Sequence, residues 1–122
     1  MNPIQEIKEP EFEREVLQSQ QPVVVNFWAD WSQPCQRLEP VLMEVAAACN
    51  GRAKVVKVNA DANPQLGISY WIQSIPALLY FINGRERARI VGTASKAAIL
   101  TQLELLTRQK TNLTTAINHQ NI

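Results

Sequence analysis

Trp28-Ala29-Asp30-Trp31-Ser32-Gln33-Pro34-Cys35 is the stretch on which the reading of this chain turns. It follows the apolar run Val23-Val24-Val25-Asn26-Phe27 and opens a segment of helical spacing. A Cys-x-x-Cys pair between a strand and a helix is a redox motif that works through two thiols. The first, exposed at the helix N-terminus, is acidified there and attacks a substrate disulfide as thiolate. The second lies one helical turn on and resolves the mixed disulfide. Here the second thiol survives as Cys35, while the attacking position holds Ser32. A serine hydroxyl ionises too weakly to attack a disulfide without a general base, and the nearby chain offers no histidine. The octet therefore points to a fold and, at the same place, against its usual chemistry.

Working outward, Val23 to Trp28 reads as a buried central strand, its apolar run broken by Asn26. Pro34 suits the first turn of the helix that follows. Along it Cys35, Leu38, Leu42, Val45, Ala46 and Cys49 recur at three- and four-residue steps and predict one apolar face. Upstream, Phe12, Val16 and Leu17 predict a short amphipathic helix ending before Gln21-Pro22. Downstream, Lys54 to Ala60 reads as a strand, and Asn63 can cap a short helix that begins at Pro64. Ala77 to Ile82 and Arg85 to Val91 flank Asn83-Gly84, a strong hairpin signal. Ser95 can cap a last helix that carries Ile99, Leu103 and Leu106 on one side. This order predicts an α/β fold, a central mixed sheet of four to five strands with helices on both faces. From Gln109 the sequence is polar and aperiodic, so a domain over residues 1–108 and a loose tail over 109–122 are expected.

Bulk properties narrow the function classes. A chain of 122 residues is of single-domain size. A net charge of +1 with 19% charged residues makes no electrostatic case for nucleic acid or a membrane surface. No apolar run approaches the roughly 18 residues that would span a bilayer. Met1 to Pro10 is charged and lacks an apolar stretch, so no secretory signal is expected and a cytoplasmic location is the default. Asn112-Leu113-Thr114 matches a glycosylation sequon, read as chance in that compartment. Cys49 lies about four turns beyond Cys35 on the same predicted helix, roughly 20 Å away and far outside disulfide reach. These lone thiols and the distant His119 form no metal-ligand cluster, so neither metal nor cofactor is expected.

Further segments carry a resemblance. They are Pro40 inside the long helix, Val58-Asn59-Ala60-Asp61 followed by Asn63-Pro64, then Ser74-Ile75-Pro76, Asn83-Gly84 and Val91-Gly92. In this order, over roughly residues 5 to 108, and together with the octet and its strand, they resemble the thioredoxin family. The resemblance implies the thioredoxin fold and a shallow groove that takes an extended peptide by main-chain hydrogen bonds. Residues of this chain that match the groove are Trp31, Gln33, Pro34, Ile75, Pro76 and Gly92. A cis peptide at Ile75-Pro76 is expected from the resemblance alone, because an X-Pro bond is cis in only ~5% of cases. Proteins or peptides are the implied partners, bound by a monomer.

The chain also departs from the family pattern. Relatives carry a buried aspartate where this sequence has Asn26, and the aspartate is thought to relay protons for the resolving thiol. An asparagine amide neither gains nor loses a proton near neutral pH, so that relay is absent. Gln33 replaces a usual glycine, Ala77 a usual threonine, and Trp71 stands where many relatives have glycine. Trp28 reads as supporting the core, whereas Trp71 reads either as core or as a new contact surface. Arg85, Arg87 and Arg89 alternate, so they are expected to share one solvated face that discourages edge pairing.

These residues support several readings. In the favoured one the chain is impaired in dithiol-disulfide exchange and acts by binding protein partners through the groove. In the second, Cys35 alone serves a monothiol oxidoreductase of cell redox homeostasis, forming mixed disulfides or accepting glutathione. Against this, a cysteine buried among apolar side chains is usually an inert core residue. A third reading is a chaperone-linked domain similar to that of bacterial chaperedoxins, in which helical repeats follow the domain. A fourth makes Ser32 an engineered Cys-to-Ser change, which leaves Asn26 without explanation.

Overall fold

The computed structural model describes residues 3–120, with side chains described up to Arg108. In chain order the elements are β1 (Gln5–Glu6), α1 (Glu9–Phe12) with a π-helical turn continuing it (Glu13–Leu17), β2 (Val23–Trp28) and α2 (Gln33–Cys49). Then come β3 (Lys54–Asn59), α3 (Pro64–Ser69), β4 (Ala77–Ile82), β5 (Arg85–Val91) and α4 (Lys96–Gln120). The strands form one five-stranded sheet in the order β1-β3-β2-β4-β5. β2 runs parallel to β3 and antiparallel to β4, so the sheet is mixed and β2 lies at its centre.

Side-chain alternation along the strands divides the core between the two sheet faces. Val24 packs with Leu38, Leu42 and Val45 of α2 and with Ile99, Leu103 and Leu106 of α4. Val23, Val25 and Phe27 pack on the other face with Phe12, Val16 and Phe81, against which Leu66 and Tyr70 also rest. Helices therefore cover both faces. A continuous apolar run in β2 follows from this arrangement, since both faces of that strand are buried. Asn26 and Trp28 share the parity of Val24 and so belong to the face beneath α2.

Several local signals act as expected. Asn83 and Gly84 take φ of 53° and 79°, the two left-handed residues of a tight hairpin turn. A Cβ at position 84 would meet the Leu17 carbonyl oxygen at 2.5 Å, so glycine is required there for space as well as for conformation. The Ser95 hydroxyl accepts the Ala98 N–H at 3.1 Å and caps α4. Leu106 is the last buried residue of that helix among the described side chains. The expected tail from Gln109 falls on residues whose side chains lie outside the described set. Among the described residues, no helix is long and apolar enough to cross a membrane.

Three features differ from expectation. β1 pairs parallel with β3 through exposed Gln5 and Glu6, which carry no strand pattern. Asn63 does not cap α3 with its side chain. Its Oδ1 accepts the Glu9 N–H at 3.0 Å and its Nδ2 donates to the Asn59 carbonyl at 3.0 Å, tying α3 to α1. The three arginines of β5 do not share a face. Phe81 pairs with Glu86 but Tyr80 with Ala88, so Arg87 is the extra residue of a β-bulge and the alternation resets. Arg89 consequently lies with Glu86, which it binds at 2.8 Å, and also donates to the Tyr70 carbonyl at 2.9 Å.

Candidate functional site

The first turn of α2 begins at Ser32, whose backbone is extended and whose Oγ accepts the Cys35 N–H at 3.3 Å. Serine is a preferred N-cap because its oxygen satisfies one of the donors left free at a helix start. Ser32 N–H donates to the Ala29 carbonyl at 3.2 Å and Gln36 N–H to the Ser32 carbonyl at 3.1 Å, which closes the turn. Both Ser32 and Cys35 are 4% exposed. Cys49 is buried at the far end of the helix, where burial pushes its thiol up against the opposing pull of Arg52. No disulfide joins them, and each is a free thiol.

Below this turn, Asn26 is wholly buried and stands beside Lys57 in the β2–β3 register. Lys57 does not turn to it. Its Nζ pairs with Glu39 of α2 at 3.2 Å and lies 4.8 Å from the centre of the Trp28 ring. A neutral amide asks for no counter-charge, so the lysine is satisfied by the carboxylate and the indole face instead. Trp28 is half-buried at the end of β2.

Beside the turn, the Ile75–Pro76 peptide is cis, and Gly92 N–H donates to the Pro76 carbonyl at 2.8 Å. Gly92 has φ of 100°, a conformation natural to glycine. The backbone groups of Gln73, Ser74 and Ile75 have no hydrogen-bond partner among the described residues. They border an open cavity of about 790 Å³, lined among others by Trp31, Asp61, Ile68, Trp71, Ile72 and Ile75. Trp31 Nε1 donates to Asp61 Oδ2 at 2.9 Å, which fixes the indole against the loop after β3.

Of the residues matched to a groove, Trp31 and Ile75 line this cavity. Gln33 and Pro34 are exposed on the opening turn of α2, while Pro76 is buried and Gly92 half-buried beside it, and neither lines the cavity. Ile68 and Asp61 also line it, though no sequence pattern marks them as site residues. Ile68 sits at an exposed position of a short helix, and only the folding of α3 beside Trp31 brings it there. Trp71 is not a core residue: it is 78% exposed and lies on the cavity wall. Among the described residues, no group of three or more His, Cys, Asp or Glu side chains could hold a metal ion.

Comparison with known proteins agrees with this geometry. The family model described as Thioredoxin matches residues 3–105. The chain is 41% identical over 104 residues to Thioredoxin 1 of Nostoc sp., covering 85% of this chain and 97% of that protein. It is 40% identical over 101 residues to a thioredoxin of Griffithsia pacifica, covering 83% and 93%. A chloroplastic M-type thioredoxin of Spinacia oleracea is 36% identical over 101 residues, covering 83% of this chain and 56% of the relative.

Proposed function

The chain belongs to the thioredoxin family, and we propose that within it this protein binds protein partners without carrying out dithiol exchange. The observation that carries the reading is the pairing at the start of α2. A buried hydroxyl occupies the attacking position and accepts the backbone N–H of Cys35, whose thiol is also buried. Two-electron exchange needs a second sulfur, and Cys49 at the other end of α2 does not supply it. Asn26 supports the same reading, since it cannot pass a proton to or from the resolving position.

Docking rests on the neighbouring loop. The free N–H and C=O groups of Gln73 to Ile75 suit addition of an extended peptide, whose main chain supplies the missing partners. The unit we assign to this role is residues 1–108, acting as a monomer in the cytosol. Ser32, Gln33, Pro34, Pro76 and Gly92 then shape the edge, and Trp31 and Ile75 the contact floor.

Alkylation of the native protein with iodoacetamide, read for each cysteine by mass spectrometry against a denatured control, tests this. Cys35 is expected to label only after denaturation. Rapid native labelling would overturn the reading and favour a monothiol oxidoreductase using Cys35.

A further inference from the structure

The cavity beside the cis proline has walls that main-chain docking does not require. Trp71 is 78% exposed and holds φ of 56°, a left-handed conformation that a bulky L residue rarely adopts. Trp31 is 71% exposed and Ile68 68% exposed, so two indoles and an aliphatic side chain open onto the same space. Asp61 is the one charged residue of that lining. Its Oδ2 is engaged by Trp31 Nε1, while its Oδ1 has no partner among the described residues. Asp30, exposed and adjacent to Trp31 in the chain, is a second carboxylate on the same segment. No lysine or arginine lines the cavity, and nearby Arg89 is held by Glu86.

Charge and ring chemistry together select the occupant. Indole faces attract cations, and a carboxylate with an open oxygen accepts their N–H donors. A planar guanidinium meets both demands better than a compact ammonium, because it stacks on a ring while forking onto a carboxylate. Its aliphatic stem has Ile68, Ile72 and Ile75 to lie against. We propose that this cavity is a side-chain pocket for an arginine of the extended peptide that docks along Gln73 to Ile75. The pocket deepens the partner-binding reading above and rests on it.

The test is an NMR titration of the intact protein with three peptides of sequence Gly-Ser-Ala-Xaa-Ala-Ser-Gly, in which Xaa is arginine, citrulline or leucine. Citrulline keeps the shape of arginine and removes its charge. The arginine peptide is expected to shift the indole N–H signals of Trp31 and Trp71 and to bind about fivefold more tightly than the other two. Trp71→Gly and Asp61→Asn should each bring it down to the citrulline level; glycine suits the left-handed backbone, and asparagine keeps an acceptor for Trp31. Equal binding of the three peptides with shifts at Gln73 to Ile75, or tighter binding of leucine, would overturn the arginine pocket and leave the groove standing. If no peptide shifts those amides, the groove fails, and N-acetylarginine methylamide decides the pocket separately. Shifts of both indoles would then support it, and their absence would overturn it.

Discussion

Replacing Ser32 by alanine removes one oxygen and asks whether that oxygen holds the helix start. The Ser32 hydroxyl accepts the Cys35 N–H at 3.3 Å in a position only 4% exposed. Both backbone hydrogen bonds of Ser32 survive in alanine, so the loss is confined to the cap. Capping deletions cost ~0.5–2 kcal/mol, and leaving a buried donor unsatisfied costs ~1–3 kcal/mol. The long donor–acceptor distance argues for the lower part of these ranges and the burial for the upper part. A loss of about 1 kcal/mol is therefore expected, equivalent to a fall of roughly 3–6 °C in Tm for a domain of this size. Urea denaturation followed by tryptophan fluorescence would show a lower midpoint with an unchanged slope. A change below about 0.3 kcal/mol would refute the capping argument. Ser32 would then have no structural reason to stand at the start of α2.

Ser32→Cys should create insulin-reducing activity that the parent is expected to lack, at a rate that Asn26 keeps below that of a dithiol thioredoxin; a folded but inactive variant would show that Gln33 or Ala77 also disables the site. Burial pushes Tyr80 up to about 12 from an ordinary value near 10. The folded state therefore holds a proton that the unfolded state releases, so this contribution is intact below pH ~10 and is lost as pH rises towards ~12, by roughly 2–3 kcal/mol. Tyr80→Phe should flatten that alkaline decline, and an unaltered slope in alkaline urea titrations would exclude Tyr80 as its source. Gly84→Ala should destabilise by at least about 2 kcal/mol, because the new Cβ meets the Leu17 carbonyl and the backbone is left-handed. A calorimetric loss under about 0.5 kcal/mol would show that the hairpin can move away.

Much of the molecule could be read from local pattern. The apolar run of β2, the three- and four-residue spacing along α2, Asn83-Gly84 and Ser95 each express a rule that acts within a few residues. Their products are the elements themselves, and the order of those elements leaves few ways to cover a mixed sheet. The same holds for Ser32 and Cys35, whose relation is one helical turn. Elements whose partners lie far away were not legible in this way. Gln5 and Glu6 form a strand because the edge of β3 offers them hydrogen bonds, and nothing in their own composition announces it. Asn63 has the side chain of a cap, but the Glu9 N–H competes for its oxygen and wins.

What the sequence determined by itself is the fold and a serine three residues before Cys35, since both follow from residue identity and near-neighbour spacing. Tertiary structure decided that Arg87 bulges and separates Arg85 from Arg89, because that depends on how β5 meets β4. It also decided that Lys57 turns to Glu39 rather than Asn26. Above all it settled the place of Trp71, which opens beside Trp31 and Asp61 onto a common cavity. These are segments far apart along the chain, and only the packing of α3 and the loop after β3 beside the start of α2 makes them neighbours.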